Sequence, residues 1–283
     1  MQQSFFHRWS MRLTRLRRGN SGGFAQGDSL YQRDGEFCPL LLGHRGAMSR
    51  APENTLGAFQ AAIEDGAVGV ELDVQLSRDD VAIVLHDDTL DRTSKTPGNP
   101  RHLAAADLDL VDVGSFFPGW GFEKVPRLDE VLAAMPTGAV VNVELKGPSP
   151  RSMRLEEHVA DVVAQHCPRV SVVVSSFHPA QLLAFQRCAP NVLLGLLLDH
   201  HALLPLRTAW VAPVLLPHAL HPHCALVDKD FVAHTHRAGM RIHAWGMKRA
   251  DEVERLLDLG VDGVIVDDVA ATKKLFIQRG YAL

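Results

Sequence analysis

From residue 40 onward, short runs of apolar and β-branched residues alternate with segments whose apolar positions recur every three or four residues. The runs are Leu40–Gly43, Val68–Val74, Val140–Leu145, Val170–Ser175, Val192–Leu198, Val214–Leu216, Arg241–Trp245 and Gly263–Val266. Between them the spacing predicts helices over Thr55–Glu64, Leu128–Met135, Arg154–Gln165, Ala180–Arg187, Asp228–Ala238 and Ala250–Leu259. Continuous apolar strands separated by helices point to a parallel sheet covered on both faces. Eight such repeats in one chain of 283 residues predict an α/β fold that closes as a (β/α)₈ barrel.

One interval breaks the rhythm. After Val74 the chain re-enters a strand at Val81–Leu85, a gap too short for a crossover, so these two strands are expected to run antiparallel. A turn centred between Asp79 and Asp80 would set Asp73 opposite His86. The hairpin, and a short insertion containing Phe116 to Trp120 as a wall or lid, should therefore follow strand two.

Barrel chemistry sits at the C-terminal ends of the strands. Those ends carry His44-Arg45-Gly46, Glu71-Leu72-Asp73, His86-Asp87, Glu144-Leu145-Lys146, Ser175-Ser176-Phe177 and Trp245. Glu71 and Asp73 are two apart on a strand, so both point to the axis, and Glu144 joins them from the neighbouring strand. Arg45 and Lys146 leave this cluster acid-rich by one, which calls for a hard divalent cation such as Mg²⁺ or Ca²⁺. His44 and His86 can exchange protons near neutrality, and the two cations suit phosphate oxygens. A metal, paired imidazoles and phosphate-binding cations are equipment for phosphoryl transfer.

These residues resemble the glycerophosphodiester phosphodiesterase family, in its bacterial cytoplasmic form. The likeness is carried by His44-Arg45-Gly46-Ala47, Ala51-Pro52-Glu53-Asn54-Thr55, Glu71-Leu72-Asp73-Val74, the run His86 to Thr93, and Asn142-Val143-Glu144-Leu145-Lys146. Later landmarks are Ser175-Ser176-Phe177, Leu220-His221-Pro222, His243-Ala244-Trp245 and Gly260-Val261-Asp262-Gly263, so the match covers roughly Leu40 to Val269. Lys248 and Val266-Asp267-Asp268-Val269 depart from the family pattern. The resemblance implies hydrolysis of glycerophosphodiesters to glycerol 3-phosphate and an alcohol. It implies metal ligands Glu71, Asp73 and Glu144 with Glu53 nearby, catalytic His44 as base and His86 as acid, phosphate contacts from Arg45 and Lys146, and a glycerol side lined by Phe177 and Trp245. The alternative on the same barrel is a lysophospholipase D or sphingomyelinase D-like enzyme acting at a lipid surface.

Bulk properties fit this reading. Hydrophobic residues make up 46%, charged residues 22%, and the formal net charge is −4, which speaks against nucleic acid and leaves room for the small-molecule substrate expected here, because a local site can be positive on a mildly acidic body. No apolar stretch reaches the ~18 residues of a membrane span. Residues 1–38 form a basic extension, with five arginines in the first twenty positions and no apolar core of an export signal, and fixed structure is not expected there. Cys38, Cys167, Cys188 and Cys224 have no paired spacing and are expected as free thiols of a cytoplasmic protein. The histidine-rich stretches His200-His201, His221-Pro222-His223-Cys224 and His234-Thr235-His236 are expected in packing or solvent-facing roles. The sparsely charged stretch Leu193–Leu216 is expected to be a buried strand and an outer helix.

Overall fold

A computed structural model of the chain describes residues 28–33, 35–147, 154–203 and 208–282. Among them the apolar runs form β1 (Leu40–His44), β2 (Gly69–Leu76), β3 (Ala82–Val84), β4 (Val140–Leu145), β5 (Ser171–Ser176), β6 (Leu193–Leu198), β7 (Ala219–Pro222), β8 (Arg241–Trp245) and β9 (Gly263–Val266). All but β3 pair in parallel, and β1 pairs with both β9 and β2, which closes the barrel. The chief helices are α1 (Leu56–Glu64), α2 (Leu128–Ala134), α3 (Arg154–His166), α4 (Pro179–Cys188), α5 (Ala212–Leu215), α6 (Lys229–Arg237), α7 (Ala250–Leu259) and α8 (Val269–Gln278).

Alternation along each strand divides the barrel into two layers. Val70, Leu72 and Val74 of β2 and Val141, Val143 and Leu145 of β4 pack outward among helix residues such as Phe59, Leu132 and Val159. The residues between them, Glu71, Asp73, Asn142 and Glu144, are therefore turned to the axis. The outer layer is mostly apolar, with Glu156, Gln181, Thr235 and Thr272 as buried polar exceptions, and it holds the charged groups inside at fixed positions.

Two details depart from the sequence reading. Val214–Leu216 is not a strand. Pro213 enters the first turn of α5, Leu216 ends it in the left-handed region at φ 49°, and the strand follows as β7. The β2–β3 hairpin is one residue out of the expected register: Val74 faces Val84, and the Leu85 amide donates to the Asp73 carbonyl. Asp80 takes the left-handed turn position at φ 62°, and Ser77 bonds both Asp79 and the Val81 amide, so the turn centres on Asp79. The pairing ends at Val84, and His86 reaches the mouth from the chain beyond it. Within Leu193–Leu216 the described residues form the expected buried strand, β6, and an outer helix, α5, with Leu203, Trp210 and Val214 exposed.

Residues 1–27 of the basic extension lie outside the described residues. Its last stretch packs on the barrel floor, where the sequence pattern showed no element. Gly69, Ala219 and Gly263 begin their strands with little bulk. Tyr31, 1% exposed, packs there with Leu40, Leu42, Val140 and Ile265. Its hydroxyl lies 2.7 Å from His243 Nε2 and 3.2 Å from His218 Nε2. All four cysteines are free, as expected.

Candidate active site

At the C-terminal mouth, one oxygen each of Glu71, Asp73 and Glu144 lies within 4.8 Å of the others. The three residues are 4%, 1% and 8% exposed. Cations lean on this cluster without balancing it. Arg45 Nε is 3.3 Å from Asp73, and Lys146 Nζ is 3.4 Å from Asp73 and 2.9 Å from Glu144. Burial, then the neighbouring carboxylates, push Glu71 well above the ordinary range; burial and Asp73 push Glu144 up to about 7. Burial also presses Asp73 upward, but Lys146, Arg45 and His86 outweigh it and hold that carboxyl below its usual value. A set of buried, hard oxygen donors with too little positive charge is chemically suited to a divalent cation, and the residues fit one.

Both expected histidines are braced by an acid. His44 Nδ1 lies 2.7 Å from Asp267 Oδ1, and its Nε2 is 3.9 Å from Glu71. His86 Nδ1 lies 2.5 Å from Asp87 Oδ1. Bonds from Arg92 and His86 hold Asp87 at about 2, and bonds from His44 and Lys248 hold Asp267 at about 2 against the opposing effect of burial. An ionised carboxylate only accepts, so each Nδ1 carries the hydrogen and each Nε2 is left for chemistry. Burial lowers the His86 imidazole, with Arg45 and Lys146 adding to the effect and Asp73 opposing it.

The loop after β1 builds one wall. Arg45 and Asn54 both adopt left-handed backbone, at φ 51° and 57°. Gly46, at φ 90°, passes so near Ala58 of α1 that a Cβ would stand 2.6 Å from its backbone. This winding aims the Arg45 amide at Glu71 (3.1 Å) and the Asn54 side-chain amide at Asp73 (2.8 Å). Glu53 does not join the acidic trio. It accepts from Arg45 at 2.9 Å and from Arg92 at 2.6 Å, and Arg92 also holds Asp87. On another side Phe177 meets Trp245 edge-on with ring centres 5.7 Å apart. Trp120 of the insertion folds against Gly57 at the start of α1 and donates to Glu123, a wall beside the mouth.

Sequence reasoning missed Asp267, Asn54 and Arg92 as working parts of the site. Asp267 follows β9 as His44 ends β1, so the rule that polar residues at strand ends make the site would have found it. Asn54 tolerates the left-handed backbone better than most residues, which was a usable sign.

A family model described as the glycerophosphoryl diester phosphodiesterase family matches residues 44–271. The chain belongs to that family. Among its relatives, a glycerophosphodiester phosphodiesterase of Caldanaerobacter subterraneus subsp. tengcongensis is 32% identical over 232 residues, covering 81% of this chain and 94% of that protein. One from Bacillus altitudinis is 32% identical over 235 residues, covering 80% and 94%. Among solved structures, an Oleispira antarctica phosphodiesterase in complex with the product sn-glycerol-3-phosphate has a TM-score of 0.74 at 25% identity, over 84% of this chain and 97% of that one. A glycerophosphodiester phosphodiesterase from Agrobacterium tumefaciens has a TM-score of 0.70 at 27% identity, over 82% and 98%. Within the family's barrel, the acidic trio and the two braced imidazoles occupy the mouth.

Proposed function

We propose that the chain is a metal-dependent phosphoric diester hydrolase that cleaves glycerophosphodiesters to glycerol 3-phosphate and an alcohol. The observation that carries this is the buried trio Glu71, Asp73 and Glu144 lying between two imidazoles, each oriented by its own carboxylate. The trio would hold Mg²⁺ or Ca²⁺, which supplies a Lewis acid beside the phosphate when bound. Arg45 and Lys146 face the same trio and are placed to share the phosphate's charge. The ring walls of Phe177 and Trp245 suit the C–H face of a glycerol. His44 Nε2 takes the proton of the attacking hydroxyl, and His86, entering the step as an imidazolium with a second hydrogen on Nε2, gives that proton to the departing alkoxide and is left neutral.

Release of glycerol 3-phosphate from glycerophosphocholine tests the reading. Activity with added Mg²⁺ or Ca²⁺ that EDTA abolishes is the expected result; activity indifferent to EDTA overturns the metal assignment. Titrating each metal into stripped enzyme separates Mg²⁺ from Ca²⁺. The division between the imidazoles is read with a nitrophenol leaving group, which needs no protonation. It should rescue His86→Ala and leave His44→Ala inactive.

Among the described residues no helix is long and apolar enough to cross a membrane. The four free thiols support a reducing, cytoplasmic setting, which cell fractionation checks. Exposed Leu203, Trp210 and Val214 favour the second reading, turnover of a lysolipid at a surface. Co-sedimentation with liposomes together with lysophosphatidylcholine turnover would establish it.

A further inference from the structure

Next to Trp245, lined by its neighbour Gly246, lies a cavity of about 490 Å³, within the range of small-molecule sites (roughly 300–1,000 Å³). His200, His223 and Gly246 line one side, and Lys248, Arg249 and Arg255 are among the residues of the other. Two observations join it to the reacting centre. Trp245 touches Phe177 on the catalytic side and His223 on the cavity side, edge-on to both, with ring centres 5.7 and 4.8 Å away. Lys248 Nζ lies 3.1 Å from Asp267, the carboxylate that braces His44.

The charges around this cavity cancel. Lys248 is matched by Asp267, and Arg249 by Asp251 at 2.8 Å and Glu252 at 3.8 Å. Arg255 spends its guanidinium on the Val227 and Cys224 carbonyls, each 2.8 Å away. Asp199, a fourth carboxylate, lies 3.2 Å from His200 Nδ1. Each charged group around the cavity thus has a partner, and little unpaired charge remains to select an anion or a cation.

The rings are also committed. His200 lies 4.0 Å from His223 at 32°, and 3.8 Å from His201 at 41°. These tilted contacts cover part of each ring face, which leaves less open face to hold a quaternary ammonium. His223 Nδ1 accepts from the Ala225 amide at 3.2 Å, so the ring hydrogen sits on Nε2 and makes that edge a donor. A charge-balanced cavity with imidazole edges matches hydroxyl groups, not acyl chains or onium heads.

Resting on the glycerophosphodiesterase reading, with glycerol against Trp245, we propose that this cavity receives a neutral sugar or polyol unit attached to the substrate's glycerol. The enzyme then acts on diesters whose glycerol half is enlarged by a hydroxylated group, and His223 sets that preference.

The test measures choline release from glycerophosphocholine, from its 1-O-glucosyl derivative and from 1-acyl lysophosphatidylcholine, using full-length enzyme with metal. The glucosyl diester should show a KM about tenfold below that of glycerophosphocholine, equivalent to about 1.4 kcal/mol. His223→Phe should erase that difference, and His223→Gln, which keeps an N–H donor, should restore part of it. Unfolding curves accompany each variant, and His200→Ala, which removes the ring packed against His223, should weaken the preference in the same direction. A glucosyl diester handled no better than its parent, a lysolipid preferred to both, or a preference that survives His223→Phe and His200→Ala overturns the proposal. Failure to release choline from any of the three would instead strike at the parent reading.

Discussion

The barrel holds histidines at both ends, and the two ends treat them in opposite ways. At the mouth, His44 and His86 each rest on an ionised carboxylate and present Nε2 to a cluster of acids and cations. At the floor, His221 and His243 lie inside the barrel with ring centres 4.7 Å apart. Burial, with His218 adding to it, holds His221 down to about 3, and burial with His221 and His218 holds His243 well below its usual value. Tyr31, pushed well up by burial and then by Asp262, remains a phenol that bonds His243. One residue type thus serves two purposes: with a counter-charge it can carry protons, and without one it is a neutral filler with a polar edge. The floor packs these rings against each other and Tyr31, whereas the mouth sets its rings on carboxylates.

That contrast can be broken at several points. The largest effect is expected at the mouth, where His44→Ala or His86→Ala should lower kcat on glycerophosphocholine about 10³-fold while the melting temperature stays near that of the parent. A variant that keeps a tenth of the parent rate would remove its histidine from the chemistry. At the floor the pattern should reverse. Tyr31→Ala should cost about 3 kcal/mol in denaturant unfolding by loss of a buried aromatic, and Tyr31→Phe about 1 kcal/mol for the hydroxyl. Unchanged stability in Tyr31→Ala would mean that the segment before β1 does not hold the floor.

A smaller effect is expected where the brace alone is altered. Asp267→Asn keeps the shape and removes the charge behind His44, and should reduce kcat 10- to 100-fold with KM little changed and the pH profile displaced. A drop in KM-linked binding alone would make Asp267 a partner of Lys248 rather than of His44. The smallest effect is on pH-dependent stability. Unfolded imidazoles titrate near 6.5. In the fold His221 and His243 bind protons only at lower pH, so acid favours the unfolded chain. Their contribution is complete above about pH 7 and is lost as pH falls from about 6.5 towards 3, by at most about 1.4 kcal/mol per imidazole and pH unit. His221→Phe should flatten the slope of stability against pH between 6.5 and 5. An unaltered slope would show that His221 already titrates normally.

Much of the mouth was legible from the chain because its parts are local. Glu71 and Asp73 share a face by their spacing, Glu144 and Lys146 repeat it, and β-branched runs mark the strands that carry them. The failures came where local pattern is weak. Val214–Leu216 is apolar and short, and periodicity alone does not tell such a run from one turn of helix. The hairpin register turned on which residue took the left-handed position, a matter of one Asp among two.

By itself the sequence determined the alternation of strands and helices in all but the Val214–Leu216 interval and the last helix, the inward placement of the acids and the family, because contiguous residues encode periodicity and strand-end chemistry. Only the closed barrel decided that Asp267 braces His44 across 223 positions, that Tyr31 seals the floor against His243, and that Glu53 holds Arg45 rather than joining the acidic trio. Those pairings arise where β1 meets β9 and where the ends of separate strands converge. No local pattern records which distant side chain will supply a buried polar group with its partner.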